Sequence, residues 1–149
     1  MYTRQEVSLI KKKFWTSFGQ YMRPITAANG DSINWINYKT GVRHIYFRMD
    51  ADINYASIAI ELIHTDPLMR EQHYEQLWQL KRMLEKSTGE DWDWQFNQEK
   101  DGNMISRVSK TLPAVNILNE SDWPAIISFF KPRIIALDNF WMMVKDGFE

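Results

Sequence analysis

A few side chains in this 149-residue chain have types and spacings that could do chemistry. Asp50 closes one run of alternating apolar residues, Glu61-Leu62-Ile63 closes the next, and Lys81 follows. Two carboxylates can hold Mg²⁺ against a phosphodiester while an ammonium group helps to activate water. Asp52 could replace Asp50 in that role. A second grouping, Glu61, His64, Asp66 and His73, offers types that bind Zn²⁺ or Mn²⁺, although Asp66 is better explained as a helix cap. A third comprises Arg48, Lys81 and Arg133, with Arg43 and Arg82. These could contact phosphates while exposed aromatic rings stack on bases, but the same residues serve an ordinary surface equally well. There is no phosphate-cradling glycine loop, no G-x-S-x-G elbow and no H-E-x-x-H pair.

The elements that must position these residues follow from periodicity. Thr3-Arg-Gln-Glu6 has the form of a capping box, and Val7, Ile10, Phe14, Phe18 and Tyr21 recur every three or four residues. This predicts a helix over 3–22, stopped by Pro24. Lys11-Lys-Lys13 reads as a solvated face of that helix. Residues 33–38 read as a short strand, and 43–50 and 55–64 as the two clearest strands. Ile45, Phe47 and Met49 alternate on one, and Ile58, Ile60 and Leu62 on the other. An antiparallel hairpin with both sets on one face requires an odd sum of paired residue numbers, and pairing Asp50 with Tyr55 satisfies it. The opposite face then carries His44, Tyr46, Arg48 and Asp50 beside Ser57, Ala59 and Glu61. Ser57 and Ala59 are small enough to let something approach closely.

Asp66 as N-cap and Pro67 in the first turn predict a helix that runs to about Ser87 and ends at Gly89. Arg70, His73 and Lys81 fall within its apolar arc, where long stems can pack with their heads in water. Residues 91–96 form a strand with Trp92, Trp94 and Phe96 on one face, Asp101-Gly-Asn103 a turn, and 104–112 the return strand. A final helix begins near Trp123-Pro124 and carries Ile127, Phe130, Ile134, Leu137, Trp141 and Val144 inward. Pro132 must kink or split it. The predicted order is α-β-β-β-α-β-β-α, one α+β domain over 1–149 with helices packed on a largely antiparallel sheet.

Helix, three strands, helix, strand is similar to the core order of the restriction-endonuclease-like nucleases. That resemblance implies an acidic residue on the second core strand and a Glu-x-Lys motif on the third. Asp50 and Glu61 stand in those places, but Ile63 replaces the lysine. Lys81 could supply the missing ammonium only if its helix lies on the Glu61 face; if the helix covers Ile58, Ile60 and Leu62, Lys81 cannot meet Glu61. The competing reading is a structural pair between Arg48 or Lys81 and Glu61. Loss of one partner from a buried Arg48–Glu61 pair would cost on the order of 3–5 kcal/mol.

Composition narrows the classes. With 44% hydrophobic and 25% charged residues, the chain has the makeup of a folded domain. A net charge of −1 disfavours wholesale coating of nucleic acid, although a local basic patch remains open. The absence of cysteine removes disulfides and thiolate chemistry. No apolar run is long enough to span a membrane, and the N-terminus lacks a signal peptide's apolar core. A soluble cytoplasmic domain is therefore expected.

Nearly the whole chain resembles the bacterial domain-of-unknown-function family 4268. The likeness is carried by Phe14-Trp15, Trp35-Ile-Asn-Tyr-Lys-Thr-Gly41, Ile45-Tyr-Phe-Arg48 and the strand from Ser57 to Glu61. It continues through Gly89-Glu-Asp-Trp-Asp-Trp94, Trp123-Pro124, Phe129-Phe-Lys-Pro-Arg-Ile-Ile135 and Phe140-Trp141, with Lys131-Pro-Arg133 the most specific part. The resemblance implies a bacterial cytoplasmic protein whose relatives stand alone or lie C-terminal to nuclease-related segments. That tilts function toward DNA metabolism or defence. It transfers no catalytic residues.

The resulting expectation is a non-catalytic module that associates with nucleic acid through Arg48, Lys81 and Arg133, or with protein, including a second copy of itself. The alternative is a divergent metal-dependent nuclease with a degenerate site of Asp50, Glu61 and Lys81, in which Asp50 and Glu61 hold Mg²⁺. No other cofactor and no membrane partner are expected.

Overall fold

A computed structural model describes the whole chain, residues 1–149. Its helices are α1 (Arg4–Met22), α2 (Pro67–Gln79), α3 (Lys81–Thr88) and α4 (Trp123–Val144). The strands β1 (Ile45–Ala51), β2 (Tyr55–Leu62), β3 (Asp93–Lys100) and β4 (Asn103–Pro113) form one sheet in the order β1-β2-β4-β3. Every pairing is antiparallel, so the chain is an α+β domain with helices on an antiparallel sheet. No helix is long and apolar enough to cross a membrane.

Thr3 caps α1 through the predicted reciprocal bonds: the Glu6 amide donates to Thr3 Oγ1 and the Thr3 amide to Glu6 Oε1. Phe14, Phe18 and Met22 form its buried stripe. Asp66 caps α2 by accepting from the Leu68 amide, and Gly89, in the left-handed region at φ 75°, ends α3. The single helix predicted over this stretch is interrupted at Leu80 (φ −97°, ψ 9°), which leaves the helical region and redirects the axis.

Residues 33–38 are not a strand. Asn34 Oδ1 accepts from the amides of both Ile36 and Asn37, a side-chain turn that competes with ladder hydrogen bonds. Trp35 and Tyr38 are buried instead at helix-like spacing. Only two strands therefore precede α2, and the helix, three strands, helix, strand order of the nuclease core is not realised. The segment is held from α4: Tyr38 and the Ala28 amide donate to Asp138, and Trp141 Nε1 donates to the Thr40 carbonyl.

The hairpin parity is as predicted, but the register is shifted by two. Asp50 pairs with Ser57, and Ala51 with Ala56, because Asp52 N–H donates to the Tyr55 carbonyl at 2.8 Å and tightens the turn. Ile45, Phe47, Ile58, Ile60 and Leu62 still share the core face. Pro132 does not split α4, which is one element and buries Phe130, Ile134, Leu137, Trp141 and Val144.

Aromatic contacts assign the helices to a sheet face. Trp141 of α4 meets Phe47 edge-on at 5.7 Å, and Tyr74 of α2 meets Trp94 at 5.8 Å. Trp94 pairs with Val108 and Val108 with Ile60, so Phe47 and Trp94 project from the same side. α2 thus covers the Ile58–Ile60–Leu62 face. Glu61 points the other way.

Candidate functional site on the outer face of the sheet

Glu61 is the centre of that outer face. It is 2% exposed despite its charge, and such a carboxylate requires compensation. Three strands supply it. Arg48 Nε lies 3.3 Å from Glu61 Oε1, Lys100 Nζ 2.7 Å from Oε2, and Arg107 Nε 3.7 Å from Oε2. The register explains two of these partners. Glu61 pairs with Arg107 on β4 and with Tyr46 on β1, which leaves Arg48 on the neighbouring diagonal.

Lys100 reaches the site through a β-bulge. Asp93, Trp94 and Gln95 pair with Ser109, Val108 and Arg107, but from Gln98 to Lys100 the pairing is displaced by one residue. A one-residue displacement exchanges the two faces. Without it, Lys100 would share the face of Trp94. Asn97 forms the bulge at φ 50°, held by its amide donating to Ser106 Oγ and by Arg70 Nε donating to its Oδ1. Sequence reasoning missed both Lys100 and Arg107. The run over 97–100 shows no apolar alternation, and the Asn97 bulge has no glycine to announce it.

Ser57, Ala59 and Ser109 are buried beneath the long side chains of this face. A cavity of about 290 Å³ lies among strand residues, including Arg48, Glu61, Gln95, Lys100 and Arg107. A larger one of about 890 Å³ adjoins it, with Arg48, Asp50, Glu61, Arg70 and Lys100 in its wall. Tyr46 is exposed beside them, with the Arg48 guanidinium 4.8 Å from its ring centre. The Arg107 Nε–H is buried and has no hydrogen-bond partner.

The other candidates do not converge here. Asp50 is exposed at the rim and accepts from Tyr55 at 3.0 Å. It lies four residues along β1 from Tyr46, the partner of Glu61, a separation of about 13 Å at strand rise. The two carboxylates are too far apart to share one ion. No group of three or more His, Asp or Glu side chains is placed to hold a metal. Lys81 projects from the opposite side of the sheet, its Nζ 4.8 Å from the Trp78 ring centre. Arg133 is committed to Glu90, with Nη2 2.8 Å from Oε1 and Nε 3.0 Å from the same oxygen. Arg48 is therefore the one predicted cation that stands at Glu61.

The chain's three histidines do meet, away from Glu61. The rings of His44 and His64 are 4.1 Å apart, and those of His64 and His73 6.2 Å. Burial, then the neighbouring His64 and His44, lowers the pKa of His73 below its ordinary range. His64 Nδ1 accepts from the Asp66 amide, and Asp66 is occupied as the α2 cap.

Residues 10–145 match the model of a family described as a domain of unknown function, DUF4268. The chain belongs to this family. No curated protein and no solved structure matches it. Membership covers both the Glu61 cluster and the α4 core and assigns a role to neither.

Proposed function

We propose that the outer face of the sheet holds one or two phosphates of a single nucleic-acid strand without cleaving it. The supporting observation is the convergence of Arg48, Lys100 and Arg107 on Glu61, beside the exposed ring of Tyr46. The carboxylate keeps three cationic heads in place, and Arg48 and Lys100 remain about half exposed. A phosphate can take donors from those heads while a base stacks on Tyr46. Acidic and basic groups otherwise balance around the two cavities, which include Asp50, Glu99 and Asp101. The attraction is consequently local, in keeping with the net charge of −1. The reading carries the setting implied by the family resemblance, a bacterial cytoplasm and a role near DNA metabolism or defence.

Fluorescence anisotropy with labelled single- and double-stranded DNA and RNA over a salt series tests it. One or two phosphate contacts give a log–log salt slope of about −0.7 to −1.4 on single strands. Arg48→Glu and Lys100→Glu should each remove most of the binding, whereas Lys81→Glu and Arg133→Glu should leave the slope unchanged. Flat traces at every salt concentration would sink the proposal.

A second reading, the divergent nuclease, draws on the 2.7 Å Lys100–Glu61 contact, which sets an ammonium group beside a carboxylate. Cleavage with Mg²⁺ or Mn²⁺ that disappears in Glu61→Ala would favour it. Intact substrate with either ion would rule it out.

A further inference from the structure

On the helix-bearing side, away from the Glu61 cluster, the outward faces of α2 and β3 leave an aromatic hollow. It has a volume of about 380 Å³ and is lined by Glu71, Tyr74, Glu75, Trp78 and Phe96. Trp78 is 50% and Phe96 41% exposed, high values for rings of their size. They are nevertheless fixed in position. Tyr74 packs on Phe96 at 5.0 Å, and both Tyr74 and Trp78 stand edge-on to Trp94, at 5.8 and 5.1 Å. The hollow is a preformed surface.

Its charge shows what it suits. Glu71 and Glu75 lie four residues apart on one helix face, where like charges repel. Both are exposed, and no salt bridge compensates either. Two unpaired carboxylates beside three ring faces favour an organic cation, because the negative faces of the rings add to the carboxylate field. The chain itself provides an example: Lys81 Nζ lies 4.8 Å from the Trp78 ring centre. Along the same helix, Gln72, Gln76 and Gln79 join Glu75 around a second, polar depression of about 370 Å³. Gln76 already donates to the Gly147 carbonyl at 2.8 Å, but the exposed Gln72 and Gln79 extend the recognition surface beyond the volume of a single cationic head, with donors and acceptors suited to a peptide backbone.

We propose that this hollow binds an arginine side chain of a partner protein's extended segment. The planar guanidinium can stack on Tyr74 or Trp78 and reach Glu71 or Glu75 with its N–H fork, while Gln72 and Gln79 receive the adjoining backbone. Lys81 is the resident competitor for the Trp78 ring.

The test uses the full chain and a fluorescein-labelled heptapeptide of alternating Gly and Arg. A matched peptide with citrulline in place of arginine keeps the hydrogen-bonding shape and removes the charge. The arginine peptide should bind, and the citrulline peptide should bind roughly tenfold more weakly or not at all. Trp78→Ala, at a half-exposed position, and the double change Glu71→Gln with Glu75→Gln should each weaken binding by roughly tenfold. Lys81→Gln should tighten it a few-fold by removing the competitor. Circular dichroism would verify that each variant is folded. Equal binding of the two peptides, or indifference to both the Trp78 and the glutamate changes, would overturn the proposal. Free methylguanidinium binding as tightly as the peptide would overturn the assignment to a protein segment. None of these readouts depends on Arg48 or Lys100, so the nucleic-acid reading succeeds or fails separately.

Discussion

Two carboxylates are buried in this protein, and they are satisfied in opposite ways. Asp138, on α4, is 1% exposed and accepts from neutral donors, the Tyr38 hydroxyl and the Ala28 amide at 2.7 Å. Glu61, on β2, is 2% exposed and faces three cations, of which Arg48 and Lys100 are about half exposed. The buried Tyr38 hydroxyl has no other partner, so this contact ties residues 28–40 to the helix. Burial, then the hydrogen bond to Asp138 and its charge, drives the Tyr38 hydroxyl far above the ordinary range, so the phenol stays protonated as a donor. Two of the Glu61 cations, Arg48 and Lys100, stay about half exposed while they compensate the carboxylate, and the proposed phosphate binding draws on this feature. One buried acid is held by neutral donors, the other by a set of partly exposed cations.

The largest effect expected from this contrast is at Asp138. Asp138→Ala strands the buried Tyr38 hydroxyl, removes the partner of the Ala28 amide and should cost about 3 kcal/mol. For a chain of this size, that is a fall of roughly 8 °C in Tm by calorimetry. Glu61→Gln should cost only about 1 kcal/mol, since Arg48 and Lys100, left behind, hydrate. Arg48→Ala should cost a similar amount, because Lys100 and Arg107 still compensate Glu61. The cost of about 3–5 kcal/mol expected for an isolated buried pair does not apply to this shared arrangement. A Glu61→Gln loss equal to that of Asp138→Ala in urea denaturation would break the comparison.

Acidification tests a third buried polar site. The depressed pKa of His73 means that the unfolded chain takes up its proton first, near the ordinary value of 6.5. This contribution to stability is therefore complete above pH 6.5 and declines as the pH falls below it. Denaturation midpoints across that range should show the decline, and His73→Leu should flatten it. The smallest effect belongs to the exposed Lys13–Glu120 pair, about two-thirds exposed on each side. Lys13→Ala should change stability by about 0.5 kcal/mol or less. A larger loss would show that exposed pairs in this chain are not the weak reference they are taken to be.

Much of the fold was legible because it depends on local rules. The Thr3 capping box, the Asp66-Pro67 start, the Gly89 stop and the parity of the central hairpin each follow from a few adjacent residues. Residues 33–38 misled because Ile33, Trp35, Ile36 and Tyr38 are strand-favouring types, while the side chain of Asn34 offers the backbone a competing turn. The site was legible only in part. Arg48 and Glu61 follow from hairpin parity, but Lys100 depends on a bulge at a residue without a distinctive signal.

By itself, the sequence determined that the chain is an α+β domain, where most of its helices and strands lie, and that Glu61 faces away from the apolar side of its hairpin. These outcomes rest on capping chemistry and on periods of two and 3.6 residues, which act over a few neighbours. Only the tertiary structure decided that α2 covers the Ile60 face, that Lys81 serves Trp78 instead of Glu61, and that Arg133 is held by Glu90. It also brought Arg107 and Lys100 to Glu61. Those choices depend on which strands become neighbours and on a one-residue slip in β3. Both are long-range properties that local periodicity does not encode.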